Sequence, residues 1–373
     1  MHYRATAGLK VSALGFGAMR LPLGLRNTID EKETERMIRF GVERGLNYVD
    51  TAAPYHDGLS EVVLGNILSR GLRHKVILTT KQPCWLIQTY ADFGKLLDEQ
   101  LRKLKTDHLD FYFLHALFTE RWESVRTLDV IGWLEKTKAE GKIRHVGFSF
   151  HDSFEVFKKI IDAYDKWELV QIQYNYMDED FQAGTKGLEY AAAKNIPVVA
   201  MEPLRGGFLA DPPAPIKAVF DEAGLDPAAT ALRWFTTRPQ VSIVLSGMSS
   251  MKQMEENIAT MERAAREPFT ERERAAVGKA KAIYAAKTPI PCTQCGYCLP
   301  CPNNVLIPDN LALYNKSVVF GSFGAGKVQY LYHTPDRNKA GACTACGACE
   351  DKCPQGIKVS EWMPKIHEAF TKG

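Results

Sequence analysis

Along residues 11–285, short apolar runs alternate with longer stretches whose apolar positions recur at helical spacing. Eight runs read as strands: Leu14–Gly17, Tyr48–Asp50, Val76–Thr79, Leu109–Leu114, His145–Phe148, Leu169–Ile172, Val198–Met201 and Ile243–Leu245. Between them, segments with one polar face, such as Glu31–Arg44, Ala91–Leu104, Gly187–Lys194 and Met251–Arg263, read as helices. Eight strand–helix repeats predict a (β/α)8 barrel, an α/β fold of about 250 residues with its chemistry at the C-terminal strand ends. A doubly wound sheet is the alternative. Gly15-Phe-Gly17 does not argue for it, because the third glycine of a dinucleotide fingerprint is absent. The Gly- and Pro-rich stretch Arg205–Pro215 follows the seventh strand and reads as a lid or a long connection.

The pattern changes at Lys287-Thr-Pro-Ile-Pro-Cys292, which reads as a linker. We therefore expect a barrel over 1–286 and a small, mainly helical domain over 287–373. Within the latter, Asp309–Ser317 has a helical pattern. Gly321-Ser-Phe-Gly-Ala-Gly-Lys-Val328 nearly matches a phosphate loop, but Val328 stands where the magnesium-binding Ser or Thr belongs. It reads as a flexible glycine turn.

Composition adds exclusions. The 373 residues are 45% hydrophobic and 24% charged, as in a globular protein, with a net charge of +3. That balance offers no electrostatic reason to expect nucleic acid or an anionic membrane as partner. No apolar run approaches the roughly 20 residues that span a bilayer. Met1–Lys10 is polar and lacks a signal core, so a cytoplasmic protein is expected.

Eight of nine cysteines fall at or after Cys292. In a reducing compartment, clustered thiols point to metal rather than disulfides. The second run, Cys343, Cys346, Cys349 and Cys353-Pro354, matches the bacterial ferredoxin spacing C-x2-C-x2-C-x3-C-P at every position. The first run, Cys292, Cys295, Cys298 and Cys301-Pro302, is one residue shorter before its last cysteine. Two-residue spacers let successive thiolates converge on a cubane, and each run ends in Cys-Pro. Two 4Fe-4S clusters are the expectation, with zinc as the rival. In two-cluster ferredoxins the fourth cysteine serves the other cluster. That pattern would assign Cys292, Cys295, Cys298 and Cys353 to one cluster, and Cys343, Cys346, Cys349 and Cys301 to the other. The ninth cysteine, Cys84, reads as a buried, incidental thiol.

Asp50, Tyr55, Lys81 and His115 fall at or just after three consecutive strands, which brings them to one barrel mouth. A tyrosine titrates near pH 10, and a neighbouring Lys⁺ lowers that value while a carboxylate holds the lysine. A histidine alongside donates to a carbonyl oxygen. Together they suit protonation of a carbonyl receiving hydride.

These residues carry a resemblance. Asn47-Tyr-Val-Asp50-Thr-Ala-Ala-Pro-Tyr55, Ser60-Glu61, Leu64-Gly65, Thr80-Lys81, Asp110–His115 and Gly141–Ser149 together resemble the aldo-keto reductase signature. The resemblance implies Tyr55 as general acid, Lys81 and Asp50 as its tuning pair, and His115 as substrate-orienting group, acting on a small carbonyl or alcohol. It further implies NADP or NAD, with Ser149 and Gln171 at the carboxamide. Met201 stands where an aromatic residue usually stacks on the nicotinamide, and Phe150 replaces the usual amide after Ser149. The usual Lys-Ser and Arg of the 2′-phosphate grip are missing from residues 246–257, while Ser249, Gln253, Glu256 and Asn257 match adenosine-contacting positions. The strings Gly147–Asp152, Gln173–Asp178 and Met201–Gly207 are similar to the branch carrying a ferredoxin-like tail. Function is then expected to couple carbonyl/alcohol chemistry to electron transfer, with a redox partner protein. The alternative is a non-catalytic electron-transfer or redox-sensing subunit whose barrel docks a partner.

Overall fold

The computed structural model describes residues 1–25, 28–292, 298–353 and 355–372. The chain divides into two compact units, residues 1–210 with 228–270, and residues 211–227 with 271–373.

The first unit opens with an antiparallel hairpin, β1 (Tyr3–Thr6) and β2 (Leu9–Ser12). Ala7 and Gly8 both take positive φ, which matches the tight turn's twist to that of the strands. The apolar pattern did not signal this hairpin, because its strands are short and largely polar. Eight parallel strands then close a barrel in the order β10-β3-β4-β5-β6-β7-β8-β9. They are β3 (Leu14–Gly17), β4 (Tyr48–Asp50), β5 (Ile77–Gln82), β6 (Leu109–Leu117), β7 (Ile143–Phe150), β8 (Leu169–Gln173), β9 (Val198–Met201) and β10 (Val241–Ser246). Three of the predicted runs match these bounds. β5, β6 and β7 run further at their C-terminal ends, so Lys81, His115 and Ser149 lie inside strands rather than in loops.

Large side chains fill the barrel, among them Tyr48, Phe111, Phe113, Leu169, Val199 and Ile243. Gly147 makes room for them. A Cβ there would run into the Leu169 carbonyl and the Phe113 ring. The helices of this unit include α1 (Glu31–Glu43), α2 (Leu59–Leu68), α3 (Tyr90–Leu104), α4 (Thr119–Arg126), α5 (Val130–Ala139), α6 (Phe154–Asp162) and α7 (Gly184–Ala193). Asp30 caps α1 through Glu33 N at 2.9 Å, and Thr89 with Asp92 forms a capping box on α3.

Helix α8 (Ala214–Glu222) belongs to the second unit, whereas α9 (Pro227–Trp234) lies almost wholly in the first, with α10 (Met251–Ala264). In the second unit α11 (Glu271–Lys287) packs on α8. It is followed by α12 (Ile307–Phe320), α13 (Phe323–Val328) and α14 (Val359–Thr371). Ile307, Leu311, Tyr330, Val359, Met363, Ile366 and Phe370 form its core. The predicted flexible turn over 321–328 is instead helical from Phe323, continuing into a π-helical turn over Gln329–His333. Gly321 caps the preceding helix with a positive φ, and Gly326 serves close packing. A Cβ on Gly326 would strike Ser317 Oγ and the Phe370 ring. Among the described residues, no helix is long and apolar enough to cross a membrane.

Candidate functional site

Asp50 ends β4, Lys81 lies on β5 and His115 on β6, while Tyr55 sits in the turn leaving β4. Parallel pairing along β4, β5 and β6 fixes the heights of Asp50 and Lys81 at the C-terminal mouth, and His115 follows Leu114, which pairs with Gln82. Lys81 Nζ donates to Asp50 Oδ1 at 2.6 Å, to the Thr51 carbonyl at 2.8 Å and to the Tyr55 hydroxyl at 3.3 Å. The ammonium's three donors thus meet three acceptors. The side chains of Lys81 and Asp50 are each only 1% exposed. Burial opposes the Lys81 charge, but Asp50 and Tyr55 outweigh it and raise the lysine above its ordinary value. Burial pushes the Asp50 carboxyl up, and the 2.6 Å contact with Lys81 pulls it back down.

Tyr55 departs from expectation. Burial raises its pKa, and the opposing pull of Lys81 does not cancel that effect. Its hydroxyl is therefore a fully protonated donor at neutral pH. His115 is pushed well below its ordinary value, first by burial and then by Lys81, so it is neutral. Its Nδ1 is buried and has no partner in the described residues. The imidazole stands edge-on to Tyr55, centroids 6.1 Å apart, and 5.1 Å from the Trp85 ring.

Support lies beneath. Gln100 Nε2 donates to the Lys81 carbonyl at 3.0 Å and to Glu61 Oε1 at 2.7 Å, and Thr80 Oγ1 donates to the same Glu61 oxygen at 2.7 Å. Cys84 is buried, and burial pushes its thiol up to about 12, so it stays unionised. Thr51, Trp85 and Gln100 went unnoticed in the sequence. A backbone carbonyl leaves no residue signature, and Trp85 follows Lys81 without a recognisable motif.

The residues matched to a nucleotide also lie around strand ends. Ser149 ends near the tip of β7, and its Oγ accepts from Ala116 N at 2.7 Å. Gln171 on β8 is buried, and its Oε1 has no partner among the described residues. Met201 ends β9 half-buried. Ser249 precedes α10, with its Oγ on the Arg20 carbonyl at 2.9 Å and its N–H on Gln253 Oε1 at 2.8 Å. Asn257 Nδ2 donates to Ser246 Oγ at 3.1 Å, and Glu256 is exposed near Lys252 at 3.8 Å. Ser250 caps α10, whose first turn carries no acidic side chain.

In the second unit, Cys301, Cys343, Cys346 and Cys349 line one cavity with Asn303, Ala345, Gly347 and Ser360. Ala345 and Gly347 take positive φ there, bending the loop around it. Ala345 N donates to Cys343 Sγ at 3.4 Å, and Asn303 Nδ2 ties the first run to Thr344 Oγ1 at 2.8 Å. Among the described residues no three His, Cys, Asp or Glu side chains converge on a single ion-sized point. Cys292, Cys298 and Cys353 pack against the unit's apolar core, and Cys295 lies outside the described residues. Asn315 is buried and pairs with both backbone groups of Ile290, at 3.1 and 2.7 Å, fixing where the first run begins.

A closed parallel barrel with a buried Lys–Asp pair beneath a protonated tyrosine defines a (β/α)8 protein whose mouth presents a proton donor. Comparison with known proteins sharpens that class. The model of the Aldo/keto reductase family matches residues 13–277, and that of a 4Fe-4S dicluster domain matches residues 291–357. L-galactose dehydrogenase of Arabidopsis thaliana is 29% identical over 278 residues, covering 68% of this chain and 85% of the relative. Methylglyoxal reductase YeaE of Escherichia coli is 29% identical over 247 residues, covering 62% and 80%. Among solved structures, the holo form of aldo-keto reductase AKR11C1 from Bacillus halodurans aligns with a TM-score of 0.62 at 25% identity, over 75% of this chain and 96% of that one. An aldo-keto reductase from Klebsiella pneumoniae in complex with NADPH aligns at 0.60 and 25%, over 75% and 95%. The chain belongs to the aldo/keto reductase family of oxidoreductases, and carries a 4Fe-4S dicluster domain after the barrel.

Proposed function

We propose that the barrel interconverts a carbonyl and an alcohol with NADP or NAD, and that two 4Fe-4S clusters in residues 287–373 couple this chemistry to electron transfer with a redox partner protein. The observation that carries the reading is the triple bond of Lys81 Nζ to Asp50, Thr51 and Tyr55. It fixes a protonated phenol at the mouth beside a neutral imidazole. Tyr55 gives its proton to the carbonyl oxygen as the alcohol forms, and Lys81 stabilises the phenolate left behind. His115 orients the same oxygen.

The chain's residues fit a nicotinamide dinucleotide, which supplies or accepts hydride when bound. The unpartnered Gln171 Oε1 suits the carboxamide N–H, with Ser149 beside it. Met201 would face the ring in place of the usual aromatic residue. The N-terminus of α10 suits phosphate, and Ser249, Gln253, Glu256 and Asn257 border the adenosine. Four thiols around a cavity, rather than on a point, favour a cubane over zinc. Cys343, Cys346, Cys349 and Cys301 would hold one cluster, and Cys292, Cys295, Cys298 and Cys353 the other. Each cluster carries one electron.

An anoxic titration of the cluster-loaded protein with NADH, NADPH and dithionite tests the reading. It is expected to show two cubanes, choose a nucleotide, and reveal whether nucleotide electrons bleach iron. The reading fails if no nicotinamide binds, no carbonyl turns over, and Tyr55→Phe changes nothing. Partner binding that follows cluster redox state, without turnover, would instead favour the non-catalytic electron-transfer subunit.

A further inference from the structure

Resting on the carbonyl-reducing reading, we propose that Arg121 selects substrates carrying a carboxylate set apart from the reacting carbonyl. Arg121 Nη1 donates to the Ala116 carbonyl at 2.8 Å, one residue beyond the catalytic His115. Its guanidinium lies between two aromatic rings, 4.5 Å from the Phe118 centroid and 5.2 Å from that of Trp85. No carboxylate among the described residues lies within ion-pair distance of it. Its other N–H groups have no hydrogen-bond partner there. Half-burial depresses its pKa. A partly desolvated cation with an open fork and no counter-charge is a receptor for an oxyanion.

Spacing gives the substrate's length. The Trp85 indole lies against both groups, 5.1 Å from the His115 ring and 5.2 Å from the Arg121 guanidinium. The two groups are thus at most about 10 Å apart, with no direct bond between them among the described residues, and the indole offers a spacer a flat surface. This suits an ω-oxo acid or a formyl aryl carboxylate rather than a 2-oxo acid. Carboxylate is favoured over phosphate because the nearest backbone anion site is taken. The Thr119 N–H at the start of α4 already donates to Asp152 Oδ2 at 2.9 Å. One cation with one fork matches a monoanion.

The probes are 4-formylbenzoate, its methyl ester and 4-formylphenyl phosphate, with pyruvate as the short control. With the full, cluster-loaded protein and NADPH or NADH, the acid is expected to exceed the ester in kcat/KM by about 10- to 100-fold, the range that a charge-assisted hydrogen bond supplies. Arg121→Met, which keeps the packed stem, should abolish that preference by raising KM for the acid far more than for the ester. Arg121→Lys should restore part of it. Phosphate preferred over carboxylate, or pyruvate over 4-formylbenzoate, overturns the proposal. Binding is read separately by calorimetry on Tyr55→Phe with oxidised nucleotide, where the acid-to-ester affinity ratio should collapse on adding Arg121→Met. A ratio near one before that substitution, or unchanged after it, overturns the proposal even if carbonyl reduction itself stands. Absence of all turnover with an intact affinity ratio would instead sink the catalytic reading and leave Arg121 as an anion receptor.

Discussion

A lysine buried to 1% exposure is costly unless its charge is answered, and here three acceptors answer it. Tyr55→Phe keeps that lysine buried but removes the donated proton. We expect kcat for carbonyl reduction to fall about 100- to 10,000-fold with little change in nucleotide affinity, checked by steady-state kinetics and nucleotide titration. Because burial raises Tyr55, the reduction rate should stay flat through neutral pH, losing the donor only as pH climbs past the ordinary tyrosine value near 10. His115 gives the opposite pH signature, in stability. Its folded value lies well below the unfolded one near 6.5, so as pH falls below about 6.5 the unfolded chain binds a proton that the folded chain refuses. Stability is complete above that value and declines as pH drops toward the folded value. His115→Gln should flatten the melting temperature between about pH 5 and 7, apart from what His151, also lowered by burial, contributes.

At the level of elements, strand length and close approach do the positioning. β5 and β6 reach further toward the mouth than apolar runs suggested. Lys81 pairs in register with Phe113, whereas His115 falls where the β6–β7 register shifts between Leu114 and Leu117. A polar side chain at a strand end breaks the apolar pattern, and at His115 the ladder shifts with it. β7 and β8 approach each other over Gly147, where any Cβ meets the Leu169 carbonyl. Gly147→Ala should destabilise the barrel by about 1–3 kcal/mol or more, measured by chemical denaturation. The loop 321–328 teaches a related point. Glycines spaced like a phosphate loop were read as flexible, yet Gly324 and Gly326 lie in a helix, and Gly326 sits against Ser317 and Phe370. Local glycine content cannot distinguish freedom from crowding, since the crowding atoms come from α12 and α14.

At the scale of the molecule, the second unit has a small apolar core against which both cysteine runs pack. Small domains of that kind draw folding energy from bound metal. Chelating the iron should expose residues 271–373 to protease while the barrel's melting transition persists. Cys346→Ser should remove about half of the iron and of the visible absorbance, because the proposal places its thiol on one of the two clusters. Loss of all the iron would show that the two centres assemble together.

By itself the sequence determined the barrel with its eight strands and the spacing of the cysteine runs. Each rests on a local period or spacing, although β5, β6 and β7 extend beyond the predicted runs. Strand order alone brings Asp50, Tyr55, Lys81 and His115 to one mouth, so their proximity was legible without distances. Tertiary structure alone decided the rest. The dominance of burial over Lys81 at Tyr55 depends on how much protein surrounds the phenol. The cavity that Cys301 lines with Cys343, Cys346 and Cys349, a grouping their spacing had already suggested, is closed by chain segments that only folding brings together. The open guanidinium of Arg121 between Trp85 and Phe118 follows from which carboxylates do not come near it. Desolvation and partnership are properties of an environment, and only folding assembles one.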